Sequence, residues 1–383
     1  GQLGAKAAIV EKDFPGGTCL NRGCIPTKTF IASVEALKTI KNASEFGVVV
    51  EGEARADWKS MLSRKNEIVG KLRSGILSLL KAGKVDFIEG SAKFADRKKI
   101  VVAQKNGKEI VVSAEKIIIA SGSEPALPSF IPKDKRILTS TELLDIESIP
   151  KSLLVLGGGA IGCEFACMFS ALGAEVTVIE MLPQILPMVD LELSSYLMKE
   201  MAKDGIKVIT GAKVEKVSLK NNKVVCQTED DEFSAEYMLV AVGRKPVVSE
   251  LNLEKAGVRT DEKGFVRVDS KCRTNAPGVY AIGDVTGRIQ LAHLASAMGI
   301  CAAENACGKN CEFRDDLVPN CIFTSPEIGA AGLSEQDCEN RKIKYKVGKF
   351  PFAALGKALA INETSGFCKV IADAETDQAL GVH

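Results

Sequence analysis

The stretch Gly16-Gly17-Thr18-Cys19-Leu20-Asn21-Arg22-Gly23-Cys24-Ile25-Pro26-Thr27-Lys28 holds two cysteines separated by four residues and bracketed by turn-forming glycines, and the reading of the chain follows from it. In a regular helix a five-residue step rises about 7.5 Å and turns the side chains apart, whereas disulfide-bonded Cα atoms lie roughly 4.4–6.8 Å apart. Cys19 and Cys24 can therefore pair only if this segment bends. Gly23 relaxes the backbone beside the second cysteine, and Pro26 suits the first turn of a helix running on through Thr29-Phe30-Ile31-Ala32. Cys24 is then expected at a helix start, where the positive partial charge, with Lys28 one turn on, favours a thiolate. So small a ring removes little chain entropy, and the value of a disulfide here would lie in redox exchange. The other readings are half of a zinc site or two unrelated buried thiols. Zinc favours tighter pairs such as Cys-x-x-Cys, and the chain contains none.

A chain of 383 residues, 46% hydrophobic and 26% charged, has material for two or three globular domains. With 50 basic and 49 acidic residues it has no field suited to nucleic acid or an anionic membrane. No apolar run is long enough to span a bilayer, and no basic-then-apolar signal precedes the fold. Twelve cysteines, mostly in apolar segments such as Ile161-Gly162-Cys163-Glu164-Phe165-Ala166-Cys167, point to a reducing compartment with one functional disulfide, the others serving as small core residues.

Ahead of the cysteine motif, Ala5-Lys6-Ala7-Ala8-Ile9-Val10-Glu11 reads as a buried strand ending on an acid, the back half of a dinucleotide-binding βαβ unit whose terminal acid holds a ribose hydroxyl. A first strand and a Gly-x-Gly-x-x-Gly loop are expected upstream. Between Trp58 and Ala82, apolar residues recur at three- and four-residue steps, which predicts a long amphipathic helix serving as scaffold. Alternating stretches at 85–94, 100–103 and 109–112 follow, with Asn106-Gly107 turning a hairpin. The strand Lys116-Ile117-Ile118-Ile119-Ala120 then runs into Ser121-Gly122-Ser123, a small-residue turn that lets backbone approach a cofactor.

The second nucleotide-binding unit is complete. Leu153-Leu154-Val155-Leu156 is an apolar strand, Gly157-Gly158-Gly159-Ala160-Ile161-Gly162 supplies Gly-x-Gly-x-x-Gly, and a helix leads to the strand Glu175-Val176-Thr177-Val178-Ile179, ending at Glu180. The glycines permit a tight turn, close pyrophosphate approach and helix–strand packing, while the helix start favours phosphate charge. Glu180 would accept hydrogen bonds from a free ribose and repel a 2′-phosphate, and no Arg or Lys between 175 and 186 offsets that repulsion; the expected cofactor is NAD. Glu164, early in the helix, reads alone as a solvated or dipole-stabilised acid. A strand at 237–242 ends in Gly243-Arg244-Lys245-Pro246, and Gly283-Asp284 follows another strand.

Gly-Gly-Thr-Cys-Leu-Asn-x-Gly-Cys-Ile-Pro-x-Lys resembles the redox motif of the flavin-dependent pyridine nucleotide–disulfide reductases, and within them is most similar to the dihydrolipoamide dehydrogenases. The segment 275–284, ending in Gly283-Asp284, resembles the family's second flavin motif; Ser121 departs mildly from the Ala-Thr-Gly-Ser usual at its position. The resemblance implies that Cys19 is the interchange thiol that meets substrate and Cys24 the thiol against the flavin, with Lys28 and Glu164 forming an ion pair beneath it. It implies FAD contacts from Glu11, Gly17, Thr18, Lys28, Ser121, Gly122, Gly283, Asp284, Leu291, Ala292 and His293, and NAD contacts from Gly157, Gly159, Ile161, Gly162, Glu180 and Gly243; no metal is expected.

The architecture implied is α/β: an FAD-binding domain (1–143 and 271–314) split by an NAD-binding domain (144–270), two Rossmann-like folds, followed by an incomplete α+β interface domain (315–383). In the family a His-Pro and a glutamate lie further on, the histidine serving as base in the partner subunit; neither His293 nor His383 matches it. Loss of such a base slows proton transfer by roughly 100- to 10,000-fold; lacking both ends, this chain is expected to be poorly active and to hold FAD poorly. The implied reaction passes electrons from protein-bound dihydrolipoamide through the disulfide and FAD to NAD. Implied partners are the lipoyl domain of a 2-oxoacid dehydrogenase complex or the glycine-cleavage carrier protein and a second copy of the chain, with no nucleic acid or membrane, in a bacterial cytoplasm or a mitochondrial matrix. Mercuric and glutathione reductases are the rival enzymes; Leu20, Ile25 and Glu180 favour the lipoamide enzyme. A non-catalytic subunit or thiol-based metal binder is the rival of another class, against which the retained Cys19, Cys24, Lys28, Glu164 and Asp284 argue.

Overall fold

The computed structural model describes residues 1–315 and 318–383, which divide into two compact units. The first comprises Gly1–Pro26, Asn66–Pro125 and Arg244–Asp315; the second comprises Thr27–Lys65, Ala126–Gly243 and the described residues from 318 on. The expected boundary at 270 therefore falls inside the first unit; 144–243 of the expected NAD domain and 318–383 of the expected interface domain lie in the second, together with 27–65 and 126–143.

In the first unit, strand Ala7–Glu11 runs parallel to Val85–Glu89, with Glu11 opposite Glu89. The expected burial of this strand is not observed: Ala8 and Ile9 are exposed, because it has a strand neighbour on one side only among the described residues. Strand Ile117–Ile119 pairs in parallel with Val279–Ala281, and both pack into a core with Phe94, Leu253, Val266 and Val285. Ser91–Asp96, Lys99–Ala103 and Glu109–Ser113 form an antiparallel meander. The stretch 85–94 is thus two strands, divided at Gly90, where a Cβ would stand 2.5 Å from the Ala103 carbonyl oxygen.

The second unit is built on a five-stranded parallel sheet in the order Lys207–Ile209, Glu175–Ile179, Ser152–Leu156, Tyr237–Val240, Ile137–Leu138. Continuous apolar strands such as Leu153-Leu154-Val155-Leu156 are what a sheet covered on both faces requires, and these four residues are buried. Helix Ala160–Ala171 covers one face, its Phe169 meeting Trp58, whose ring stacks on Phe30 at 4.8 Å. The alternating pattern beyond Ile209 belongs to a separate antiparallel meander, Lys216–Lys220, Lys223–Gln227 and Glu232–Ala235. Its first turn is Asn221-Asn222, both at positive φ, the geometry of a two-residue hairpin that asparagine tolerates. A five-stranded antiparallel sheet, ordered Asn320–Ile322, Ile328–Gly332, Ala379–Val382, Phe367–Asp373, Tyr345–Pro351, completes the unit.

Among the free cysteines, Cys163, Cys167, Cys226, Cys272, Cys301 and Cys338 are buried as expected of core residues, while Cys307 and Cys321 are exposed. No helix of the described residues is long and apolar enough to cross a membrane.

Candidate functional sites

Cys19 and Cys24 form a disulfide with their Cα atoms 4.6 Å apart. The bend that allows it is local. A short helix, Gly17–Arg22, ends at Gly23, and a second helix, Cys24–Lys41, starts at the next residue. A Cβ at position 23 would stand 3.1 Å from the Thr18 carbonyl oxygen and 3.3 Å from the Cys19 Cα, so glycine is what brings the two cysteines together. Gly16, at φ 107°, turns the chain into this loop. Asn21, between the cysteines, donates from Nδ2 to the carbonyls of Gly17 (2.8 Å) and Pro15 (3.1 Å).

The same unit carries a second group of residues at strand ends. Asp284 lies in a 3-10 turn that begins at Gly283, whose φ of 69° and 3.1 Å approach to Ala295 Cβ disfavour any side chain. Ser123 Oγ donates to the Asp284 carboxylate, and Arg244 fixes Ser123 with bonds from Nε to Oγ (2.7 Å) and from Nη2 to the carbonyl (2.6 Å). The sequence places Ser123 only in a small-residue turn and assigns no contact to it or to Arg244. Their only sequence signal is adjacency to Ser121-Gly122 and Gly243. Ser121 Oγ is buried without a hydrogen-bond partner among the described residues, and Gly17 and Gly122, at φ 69° and 70°, have no atom within 4 Å of where a Cβ would stand. Helix Ala292–Ala306 starts at Leu291 with no side-chain cap, its first-turn residues Ala292 and His293 exposed. Thr18 is exposed. Glu11, closing its strand, accepts from the Asp13 amide at 2.8 Å, and burial pushes its carboxyl up against the pull of the Lys12 amide and charge. An orphaned hydroxyl, open backbone at two glycines, an oriented carboxylate and an uncapped helix start fit a large polar cofactor with a phosphate group.

In the second unit the glycine loop differs from residue to residue. Gly157 adopts φ 107°, and a Cβ there would meet the Ala241 carbonyl oxygen at 2.5 Å; at Gly162 it would meet the Gly157 carbonyl oxygen at 2.0 Å. Gly159 caps helix Ala160–Ala171 with no atom within 4 Å of its would-be Cβ, and no side chain caps the helix. Two glycines are thus demanded by the fold and the third leaves backbone open at a helix start, the arrangement a pyrophosphate needs. Ile161 packs on the core. Glu180 is buried and its carboxylate accepts from the amides of Gly158 (2.6 Å) and Leu182 (2.8 Å). Gly243, at φ 125°, is open at its Cα and accepts from the Ala126 amide.

Lys28 and Glu164 do not form the expected direct ion pair. Phe323 stands at both: Lys28 Nζ lies 3.6 Å from its ring centroid, and its amide donates to Glu164 Oε1 at 3.0 Å. Burial pushes the Glu164 carboxyl up, while the Phe323 amide and the Lys28 charge pull it back. An aromatic face attracts an ammonium strongly enough to compete with a carboxylate that already has a partner. His383 is buried, its Nε2 2.9 Å from the Leu333 carbonyl oxygen.

A redox-capable disulfide on one nucleotide-binding framework and a complete dinucleotide loop on another define a thiol–disulfide oxidoreductase dependent on nucleotide cofactors. The family model for pyridine nucleotide–disulphide oxidoreductases matches residues 1–299, and the model for the dimerisation domain of the same family matches 318–383. The chain belongs to this family and is an oxidoreductase that uses FAD and NAD. It is 43% identical over 388 residues to a dihydrolipoyl dehydrogenase of Thermus scotoductus, covering 100% of this chain and 82% of that one. It is 39% identical over 378 residues to one of Chlamydia pneumoniae, covering 99% and 81%. The HOCl-induced flavoprotein disulfide reductase RclA of Escherichia coli has a similar structure, with a TM-score of 0.88 at 29% identity over 100% of this chain and 84% of that one.

Proposed function

We propose that the chain oxidises protein-bound dihydrolipoamide with NAD. The carrying observation is the Cys19–Cys24 disulfide, closed at 4.6 Å between Cα atoms in the unit that also presents Ser121, Gly122 and Asp284. A substrate thiolate attacks Cys19 Sγ, breaking the Cys19–Cys24 bond and forming a mixed disulfide; the second substrate thiol displaces Cys19, leaving lipoamide and a protein dithiol. FAD held in this unit would supply two-electron transfer between the dithiol and NAD. The start of helix Cys24–Lys41 favours the thiolate of Cys24, and Lys28 adds positive charge one turn on.

The residues suited to FAD are Glu11 for a ribose, Gly17, Thr18, Gly122, Leu291, Ala292 and His293 for backbone and phosphate contacts, the Ser121 hydroxyl, and Asp284 at Gly283 for the polyol chain. Those suited to NAD are Gly157, Gly159, Ile161, Gly162 and Gly243, with Glu180 at the ribose. Glu164, accepting from the Phe323 amide, would hold in place the ring that faces Lys28. A buried carboxylate at Glu180, with no Arg or Lys between 175 and 186, repels a 2′-phosphate and supports NAD over NADP. The dimerisation-domain match supports a homodimer, and the dihydrolipoyl dehydrogenase relatives support a lipoyl domain of a 2-oxoacid dehydrogenase complex or a glycine-cleavage carrier as partner. The relatives named are bacterial, which supports a bacterial cytoplasm.

The test is an anaerobic assay of NADH formation from dihydrolipoamide in the FAD-loaded protein and its Cys24→Ser variant. Dihydrolipoamide-dependent NADH formation that the variant abolishes is expected. Flavin reduction by NADH, combined with indifference to dihydrolipoamide in both proteins, would leave the family standing and remove the substrate.

A further inference from the structure

The long helix Trp58–Ala82, which the periodicity marks as scaffold, carries one side chain that reaches the redox loop. Arg73 donates from Nε to Asn21 Oδ1, and its guanidinium carbon lies 3.6 Å from the centroid of the Phe14 ring. Both ends of the Asn21 amide are thereby engaged, the oxygen by Arg73 and the nitrogen by the carbonyls of Gly17 and Pro15. We propose that Arg73 is a positioning residue for the Cys19–Cys24 couple, acting through Asn21. The inference rests on the reading that this disulfide is the redox couple.

When the sulfur–sulfur bond is reduced, the covalent clasp between the short helix Gly17–Arg22 and the start of the next helix is lost. The tie from Arg73 to Asn21 then helps to hold Cys19 facing Cys24, with the Arg22–Asp13 ion pair beside it. A charge-assisted hydrogen bond with a planar, stacked donor is among the stronger local restraints. Keeping the thiols adjacent lowers the entropy lost on closing the ring again and so biases the couple toward the disulfide. The equilibrium is protein disulfide plus two glutathione thiols giving protein dithiol plus glutathione disulfide, two electrons and two protons passing from glutathione to the protein. Cutting the tie is expected to move this equilibrium about tenfold toward the dithiol, or about 30 mV for a two-electron couple.

The experiment equilibrates FAD-loaded protein in anaerobic glutathione buffers of graded ratio, traps free thiols by alkylation and weighs the peptide holding Cys19 and Cys24. It compares wild type, Arg73→Met, Arg73→Lys, Asn21→Ala and the Arg73→Met, Asn21→Ala double variant. Arg73→Met and Asn21→Ala should each shift the midpoint about tenfold, and the double variant no further than either alone. Arg73→Lys should shift it in the same direction by less. If Arg73→Met does not fold, Asn21→Ala and Arg73→Lys carry the comparison by the same criteria. Shifts below twofold, or a double variant equal to the two single shifts combined, would overturn the proposal while a wild-type midpoint keeps the redox reading intact. A wild-type disulfide that ignores glutathione altogether would overturn both.

Discussion

Replacing Gly162 with alanine tests whether the second glycine-rich loop is shaped by packing, and Gly159→Ala tests whether it is shaped for a ligand. A methyl at 162 would stand 2.0 Å from the Gly157 carbonyl oxygen and 3.1 Å from Val155 Cγ1, so the start of helix Ala160–Ala171 must retreat by about 1.4 Å to reach ordinary contact. Val155 and Cys163 are both fully buried, and the obstructing atom is backbone, which leaves no flexible side chain to yield. Overpacking of this kind costs about 2–3 kcal/mol, which lowers Tm by roughly 2–4 °C in a chain of 383 residues. A methyl at 159 meets nothing within 4 Å and its φ of −73° suits any residue, so the loss is confined to a poorer N-cap, under about 1 kcal/mol. That methyl would nevertheless occupy the open face of the loop and should weaken NADH binding at least about tenfold. Calorimetric melting and NADH titration of the FAD-loaded proteins separate the effects. If Gly162→Ala melts with wild type, or Gly159→Ala binds NADH with wild-type affinity, the division of labour among these glycines is wrong.

Three further outcomes are expected. Lys369, fully buried, bonds Asp190 at 2.8 Å, approaches Glu192 at 3.3 Å and also bonds Glu335; Lys369→Met leaves buried Asp190 without its cation, while Glu192 keeps Lys349, and should cost about 3–5 kcal/mol at pH 7 by urea unfolding. Although burial opposes its charge, bonds from Lys369 and the Glu335 amide hold Asp190 below the usual carboxylate range, so its stabilisation is present above about pH 4 and lost below it; the variant's deficit should shrink as pH falls toward 4 and Asp190 protonates. Burial raises the Glu164 carboxyl, so its ionised form costs stability above the usual carboxylate pKa; Glu164→Gln, still able to accept from Phe323, should melt higher than wild type at pH 8 and lose that advantage as pH falls through the raised value. Ser121→Ala removes a buried hydroxyl with no partner, so it should stabilise flavin-free protein by about 1 kcal/mol while weakening FAD retention about tenfold, read by melting and by flavin titration.

What was legible in the sequence was what depends on neighbours along the chain. Gly23 beside Cys24, the three glycines before helix Ala160–Ala171 and the apolar period of Trp58–Ala82 each act within a turn or two, and backbone sterics at those positions leave few residue choices. The illegible part was which side chain meets which across the fold. Ser123 finds Asp284 across 161 residues and Arg244 across 121, and Glu164 takes the Phe323 amide across 159. Neither composition nor period specifies such partners, because they are fixed only when strands have been ordered. Phe323 shows the consequence: the pair that the resemblance implies between Lys28 and Glu164 gives way to an aromatic ring at the lysine and a backbone amide at the glutamate.

Strand order also explains why the functional residues gather where they do. Parallel strands put all their carboxyl ends on one edge, where the chain leaves the sheet and backbone is free to face a ligand. Ile117–Ile119 and Val279–Ala281 are parallel neighbours in register, so the segments that follow them, Ser121-Gly122-Ser123 and Gly283-Asp284, emerge side by side, and the Ser123–Asp284 bond is a product of that pairing. Ser152–Leu156 lies between Glu175–Ile179 and Tyr237–Val240, so Gly157, Glu180 and Gly243 leave one edge together, with Glu180 close enough to bind the Gly158 amide. Reversing one of these strands would leave its local sequence signals intact and scatter the site. The glycines and acids are therefore informative only because the strands before them are parallel, a property that the buried, continuous apolar character of Leu153 to Leu156 already carries.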